Sequence, residues 1–413
     1  MVKDADIIIV GAGLAGLRAA IEVANAGLSV IVFEREMAVG GRMRTSLVNG
    51  FRLDHGFQVV LSAYPELKRI PGLNHRRWRA FASGARVRSN GAFFDFMDPR
   101  KHPESVFSML RSPLCSIFDL TRLLLFVAAA PRSEPQLDGV SIGELLRKQG
   151  FSDRFTRSFL RPFLRGVTLD AMLMGDAGPA RFYLRCFSTG DAVLPPNGIQ
   201  GLPEHLASLL GSAHIRLGTG VKEISAKRVV LENGETLTCD QVVCATDTLS
   251  AAALKGPEQT MPHNGCVTLY FGADRAPFAE PLLVLNGDDG PISHLAVLTN
   301  VEPSYAPANR ALISVTLVGN SERSSETELL SRVTSQLREW YGPQVEQWEY
   351  LARYNLPNAL PGRPRVGSGW IEREGILFAG DYLSYPSQNG ALAAGRRAGE
   401  AIVGSALGQN GIA

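Results

Sequence analysis

The stretch Ala5–Glu34, ADIIIVGAGLAGLRAAIEVANAGLSVIVFE, decides the fold. Its opening residues, ADIIIV, are apolar and rich in β-branched side chains, which reads as a short buried strand. Gly11-x-Gly13-x-x-Gly16 follows at once. An Ala-rich helical stretch then runs to Ala26, Gly27 supplies a C-cap, and LSVIVF reads as a second buried strand. A strand–helix–strand unit of this kind predicts a parallel sheet. The three glycines have separate tasks. The first allows a tight turn, the second lets backbone N–H groups approach a pyrophosphate at the helix N-terminus, and the third lets helix and strand pack closely. Glu34, at the end of the second strand, stands where an acid binds a ribose hydroxyl and where a 2′-phosphate would be repelled. The ligand expected from these residues alone is NAD or FAD.

Composition narrows the class. A chain of 413 residues that is 45% hydrophobic and 20% charged can bury a large core and form two or three domains. A formal net charge of +2 gives no overall bias toward nucleic acid. The five cysteines (Cys115, Cys186, Cys239, Cys244, Cys266) are odd in number and form no C-x-x-C pair. A disulfide framework or zinc site is therefore not expected, and a reducing compartment is. The first strand begins near Ala5, leaving no room for a signal peptide, and the longest apolar run, LLLFVAAA (Leu123–Ala130), falls far short of the ~20 residues of a membrane span. The expectation is a cytoplasmic protein, soluble or peripheral to a membrane.

Beyond this unit, the segment from about Trp78 to Arg185 reads as helical. Ser141-Ile-Gly-Glu144 has the form of a capping box, with Gly150 closing the helix. Phe155, Phe159 and Phe163 share one helical face, and Pro162 argues against a straight helix through that stretch. From His214 the pattern turns to strands, with a hairpin at Asn233-Gly234 and runs such as QVVCATD, CVTLYF, LLVLN, HLAVLT and ALISVTLV. A helix over about 325–340, the strand GILFAG and a helix from about Gly390 to Ala406 complete the chain.

The residues after Glu34 resolve the choice of cofactor. VGGRMRT (Val39–Thr45) and the D-x-G segment Asp54-His55-Gly56 follow the dinucleotide motif. Near the other end stands LFAGDYLSYPSQNGALAAGRRAGEAI (Leu377–Ile402). On these motifs the sequence resembles the flavin-dependent amine oxidase and phytoene desaturase superfamily. The resemblance implies FAD, bound by Gly11, Gly13, Ala15, Gly16, Glu34, Arg35, Gly41, Arg42, His55, Gly56, Phe57, Gln58, Val221, Gly380, Asp381, Gln388, Asn389, Gly390 and Ala391. In that scheme Arg42 neutralises cofactor phosphate and Gly56 to Gln58 pass beside the isoalloxazine ring. Asp381 meets the ribityl or pyrophosphate region, and the last helix points its N-terminus at the flavin, whose reduced form is anionic. Val221 would meet the adenine through its backbone, unless it is an ordinary strand valine.

The family pattern also implies a Rossmann-type FAD-binding domain built from 1–75, 190–250 and 365–413, interleaved with an α+β substrate domain, a mixed sheet plus helices, from 76–189 and 251–364. No nucleophile–base constellation and no metal-ligand spacing is present. Hydride transfer to a flavin needs positioning and an apolar pocket more than acid–base side chains. Amine oxidases of the superfamily carry a lysine on a substrate-domain strand, but the comparable HNGCVTLYF (His263–Phe271) has none. RLDHGFQVVLSAYPEL and FSTGDAVLPPNGIQGLPEHLA look like segments of phytoene desaturase-like and hydroxysqualene dehydroxylase-like proteins.

The expected function is removal of hydride from a lipophilic, isoprenoid-type substrate, with O2 or a quinone as acceptor. The alternatives are an amine or amino-acid oxidase, with Arg353 or Arg363 available to a carboxylate, and a non-redox isomerase or inactive flavin-binding relative. His263, Cys266 and His294 are candidates for lining the site or for packing. The Phe155/Phe159/Phe163 stripe, with Ile117–Ala130, is either core or the floor of a tunnel. Seven Lys/Arg between Glu66 and Asp95 (68, 69, 76, 77, 79, 86, 88), interleaved with Trp78 and Phe81, form a candidate contact for an anionic membrane surface.

Overall fold

The computed structural model describes residues 3–131, 135–211, 214–254, 262–319, 325–362 and 367–410, the last four by backbone alone. The opening stretch folds as its pattern dictates. Strand Ile7–Val10 leads into helix Leu14–Asn25 and strand Val30–Phe33, and the two strands pair in parallel. They lie within a six-stranded sheet whose spatial order is 215–216, 30–33, 7–10, 241–244, 376–379, 370–373. The first five are parallel, and only Trp370–Arg373 at the edge runs antiparallel. Strand Ile7–Val10 is buried throughout, as expected of a parallel sheet covered on both faces.

Helix Gln388–Asn410 packs on helix Leu14–Asn25 at very close range. A Cβ at Gly395 would lie 2.1 Å from the Ala15 carbonyl oxygen, so only a residue without a side chain lets these backbones approach. Sheet and helix pair together set the ends of Leu14–Asn25 and Gln388–Asn410 over one side of the parallel strands.

A second, seven-stranded sheet has the order 349–361, 263–273, 311–318, 294–297, 283–286, 84–89, 92–97. Its pairings are antiparallel except that Leu283–Asn286 runs parallel to Gly84–Ser89. Helix Glu326–Tyr341, N-capped by Ser325, covers one face with Leu329, Val333, Leu337 and Trp340. A helical layer from Val106–Arg111 to Ala177–Thr189 packs around Phe96, Phe126, Phe155 and Phe159. The architecture is α/β, a Rossmann-type sheet beside a mixed sheet with helices.

One expectation needs correction. The segment 78–185 is not helical from its start, because Gly84–Ser89 and Ala92–Met97 form a hairpin. Its turn places Asn90 at φ 52° and Gly91 at φ 74°, the left-handed pair of a two-residue hairpin loop. The segment after the dinucleotide unit is likewise a hairpin, Thr45–Val48 with Phe51–Asp54, turning at Asn49-Gly50. The helix holding the phenylalanine stripe continues past Pro162 but is not a regular α-helix through that stretch. A π-turn over Thr156–Leu160 lies before it, and the proline sits near the start of Arg161–Thr168, where a missing N–H is tolerated.

Candidate active site

The C-terminal ends of the parallel strands open on one cavity of about 820 Å³ that extends from the dinucleotide motif into the helical layer. This is where an open α/β sheet holds its ligand. Gly11 has φ 102°, and a Cβ there would sit 3.0 Å from the Ala245 carbonyl oxygen. At Gly16 a Cβ would fall 1.9 Å from the Gly11 oxygen, which is the helix–strand closeness expected of the third glycine. Gly13 differs from both. Nothing lies within 4 Å of the position its Cβ would take, and it caps a helix with no acid in its first turn. The free N–H groups and dipole of that helix end face open space.

Glu34 is buried, its carboxylate accepting from the Ala12 N–H at 2.8 Å and the Glu36 N–H at 3.0 Å. The GGR segment closes over the motif. The Gly40 N–H donates to the Ala12 oxygen at 2.9 Å, and Gly41 at φ 58° would bring a Cβ to 3.6 Å from the Gly13 Cα. Arg42 donates to the Asp381 carboxylate at 2.7 Å and to the Ala359 carbonyl at 2.9 Å. Gln58 donates to the Arg42 carbonyl at 2.9 Å, tying the two segments together.

Of the residues singled out in the sequence, Gly11, Gly13, Ala15, Glu34, Arg35, Gly41, Arg42, His55, Gly56, Phe57, Gln58, Val221, Gly380, Asp381, Gln388 and Ala391 line this cavity. Gly16, Asn389 and Gly390 lie behind it. Asn389 is fully buried, accepting from the Glu66 N–H at 3.0 Å and donating to the Tyr385 hydroxyl, while a Cβ at Gly390 would strike the Tyr385 carbonyl oxygen at 2.0 Å. These residues position the start of the last helix. Gln388, at that helix start, donates to the Val59 carbonyl at 3.1 Å, and its Oε1 is buried with no partner among the described residues.

Gly56 has φ 87°, a left-handed backbone that favours glycine whatever the space, and a Cβ there would also come within 2.5 Å of Leu356 Cδ1. His55 stacks on Tyr354 with ring centroids 4.6 Å apart and shares a 2.8 Å hydrogen bond with the Ser46 hydroxyl. Burial, aided by the charge of Arg44, lowers its pKa and favours the neutral ring. Beneath this loop Asp54 is buried, its carboxylate accepting from Thr45 Oγ1 (2.6 Å), the Ile199 N–H (3.0 Å) and the Tyr305 hydroxyl (2.8 Å). Burial pushes its pKa up to about 6, against the pull of those donors.

The far half of the cavity is walled by Phe57, Phe81, Phe159, Phe163, Leu123 and Phe187, among others. Phe155 is fully buried in the core and does not reach it. Helix Ile117–Ala128 has two apolar faces. Leu120, Leu123 and Val127 line the cavity, Ile117, Phe118 and Leu125 are exposed, and Leu124 does both. His263, Cys266 and His294 all line the cavity, with His263 bonded to Thr248 Oγ1 at 3.1 Å. No lysine is among the described residues lining it. Arg353 does not line it, and Arg363 lies outside the described residues.

The sequence reading missed Ala245–Thr248 at the cavity wall. The signal was present in QVVCATD, a buried strand whose C-terminal end must reach the ligand crevice of a parallel sheet. Asp247 there caps helix Thr248–Ala253. The basic stretch is less cationic than its sequence. Arg86 pairs with Asp95 (2.7 Å) and Glu280 (3.1 Å), and Arg88 pairs with Glu339 (3.1 Å), so neither is free to meet an anionic surface.

The site joins a glycine-lined cradle at the dinucleotide motif to an apolar chamber. The chain belongs to the flavin containing amine oxidoreductase family, whose model matches residues 14–403, and it is a flavin-dependent oxidoreductase. It is 23% identical to the 15-cis-phytoene desaturase of Arabidopsis thaliana over 466 aligned positions, covering 97% of this chain and 80% of the relative. Its fold is similar to that of a putative protoporphyrinogen oxidase from Exiguobacterium sp. 255-15 (TM-score 0.74, 17% identity, 98% of this chain and 100% of the other). It is also similar to that of cyclohexylamine oxidase from Brevibacterium oxydans IH-35A (TM-score 0.69, 17% identity, 98% and 100%). The residues present suit a flavin dinucleotide. Gly13 leaves room for phosphate, a helix end without acid faces it, and the buried Gln388 Oε1 awaits a donor. Among the described residues, no helix is long and apolar enough to cross a membrane, and no group of His, Cys, Asp and Glu is arranged to hold a metal.

Proposed function

We propose that the protein is an FAD-dependent oxidoreductase that removes hydride from a lipophilic, isoprenoid-type substrate, as in a desaturation, with O2 or a quinone as the final acceptor. The observation that carries this reading is the continuity of one cavity from the dinucleotide motif to a chamber walled by phenylalanine and leucine. The cofactor-holding part comprises 1–75, 190–250 and 365–413, and 76–189 with 251–364 form the substrate part. FAD, when bound, supplies the hydride acceptor. The protein's own residues bind and orient it. Gly11 and Gly13 with the helix end at Leu14 take the pyrophosphate, Glu34 a ribose, Val221 the adenine side, and Arg42 with Asp381 the stretch between. His55 to Gln58, Gln388 and Ala391 take the ring. Phe57, Phe159 and Phe163 hold substrate and exclude water, which suits hydride transfer.

A peripheral membrane contact is better supported on the outer face of helix Ile117–Ala128 than on the basic stretch. Ile117, Phe118 and Leu125 are exposed beside the exposed Arg122, and Leu124 joins this face to the cavity, so a lipid-soluble substrate would pass from bilayer to chamber without crossing water. The absence of a cavity lysine among the described residues weighs against amine oxidation.

The test is anaerobic mixing of the flavin-loaded protein with an isoprenoid series and an amine panel. Bleaching of the flavin band by isoprenoids supports the reading, and bleaching by amines with peroxide release in air would replace it. Flotation with phosphatidylglycerol vesicles, lost in Phe118→Asp/Leu125→Asp, tests the membrane contact, and flotation unaffected by that change would move it elsewhere.

A further inference from the structure

His294 opens strand His294–Val297 in the interior of the seven-stranded sheet, with Leu285 and Thr316 as its flanking Cα partners. The residue is only 4% exposed and lines the cavity, and its Nδ1 is buried without a hydrogen-bond partner among the described residues. Gly166 makes room for it, since a Cβ there would lie 3.2 Å from Nδ1. The Phe57 ring, centroid 5.4 Å away, stands next to it. Burial, with the charge of Arg165 as a smaller cause, pushes the pKa of His294 down to about 4, so the ring is neutral and carries one donor and one acceptor.

Nδ1 packs against Gly166, which leaves Nε2 as the ring nitrogen to meet a ligand, and a polar group facing a ligand chamber is satisfied by the ligand. A pure hydrocarbon leaves the imidazole unpaired. An ammonium is a poor occupant, because the charge that acts on His294 is the positive Arg165, and of the acids lining the cavity Asp98 and Asp191 are already paired with Arg100 and Lys101. A neutral oxygen completes the imidazole without bringing a charge into an apolar space.

We propose that His294 is the docking point for a single neutral oxygen function, hydroxyl or carbonyl, on an otherwise hydrocarbon substrate. This deepens the lipophilic-substrate reading and rests on it. The bond fixes one end of a flexible chain, and thereby which of its carbons lies in the part of the cavity beside Phe57 and Gly56. His294 also makes the chamber selective, since a site built to bond an oxygen rejects the analogue that lacks it.

The experiment is calorimetric titration of the flavin-loaded protein with four probes of one carbon skeleton: geraniol, geranial, geranylamine and 2,6-dimethyloctane. The expected result is that geraniol and geranial bind about 10-fold or more tightly than the hydrocarbon, a margin of about 1.4 kcal/mol. His294→Leu should erase that margin while leaving hydrocarbon affinity within about twofold, and His294→Asn, which keeps a donor and an acceptor, should restore much of it. An oxygen preference unchanged in His294→Leu, or tightest binding by geranylamine, would overturn the proposal. Binding of all four without any oxygen preference sinks this proposal alone. Failure of all four to bind a protein that carries flavin sinks the lipophilic-substrate reading with it.

Discussion

The glycines at 13 and 16 belong to one motif yet respond to alanine for different reasons, and this separates cofactor binding from folding. Gly13 has φ −75° and ψ 179°, values any L-residue adopts, and an added methyl would meet no protein atom within 4 Å. Alanine there loses a few tenths to about 1 kcal/mol as an N-cap and regains about 0.4–1 kcal/mol by restricting the unfolded chain. Net stability should stay within about 0.5 kcal/mol, and the melting temperature within about 2 °C.

The same methyl occupies the space through which a phosphate reaches the helix end. Losing about two charge-assisted hydrogen bonds at about 1.5–3 kcal/mol each weakens FAD by roughly 10²- to 10⁴-fold. Gly16→Ala instead drives a Cβ to 1.9 Å from the Gly11 oxygen, which forces helix and strand apart at a cost of about 1–3 kcal/mol or more, and cofactor and stability fall together. Titration of apo-protein with FAD, followed by flavin fluorescence, and thermal melts of the same samples report both quantities. Gly13→Ala that binds FAD within threefold of the wild type, or melts as low as Gly16→Ala, would refute the reasoning.

Other substitutions probe neighbouring parts of the site. Asp54 has a folded pKa of about 6 against 3.8 in the unfolded chain, so the folded state is penalised above pH 6, by roughly 3 kcal/mol, and not below pH 3.8. Stability from this group therefore falls as pH rises through that window. Asp54→Asn should stabilise the protein at pH 7.5 and flatten the slope of denaturant midpoints between pH 4 and 6, and an unchanged slope would show that another group titrates there. Arg42→Ala leaves the buried Asp381 carboxylate without its 2.7 Å partner, so FAD affinity should fall at least about 10-fold and stability by about 1–3 kcal/mol. Wild-type FAD affinity in that variant, measured by equilibrium dialysis, would show the phosphate contact to be elsewhere. Gly56→Ala suffers both a left-handed φ of 87° and the 2.5 Å approach to Leu356, at about 1–3 kcal/mol. Adding Leu356→Ala should remove the steric part and leave the backbone part, which a double-mutant cycle of unfolding free energies resolves.

Local signals carried the parallel sheet into view. The β-branched run, the spaced glycines and Glu34 lie within thirty residues, and each has a stereochemical reason that needs no distant partner. Hairpins are legible by the same logic, to unequal degrees. Asn233-Gly234 stands between runs of clear strand pattern, while Asn49-Gly50 and Asn90-Gly91 stand among arginines and phenylalanines that blur the alternation. The chamber was harder to foresee. Phe155, Phe159 and Phe163 are equivalent in the sequence, yet Phe155 is core and the other two face the cavity, a distinction set by elements far away in the chain. Two arginines of the basic stretch, Arg86 and Arg88, differ from their sequence appearance for a related reason. Glu280 and Glu339, which neutralise Arg86 and Arg88, lie 194 and 251 residues downstream.

The strand order of the parallel sheet has a consequence for synthesis. The first strand is made at once but finds its inner neighbour only when Gln241–Cys244 emerges, and the sheet waits again for Ile376–Ala379. Helix Leu14–Asn25 likewise lacks its cover until Gln388–Asn410 arrives to seat Gly395 against Ala15. A ribosome moving at about 5–20 residues per second leaves the nascent Ile7–Val10 edge unsatisfied for roughly ten seconds or more. Such an edge is a template for mispairing between chains. Expression at lower temperature or with a holdase chaperone should therefore raise the soluble yield of this protein more than its finished stability would suggest, because the hazard lies in the order of assembly.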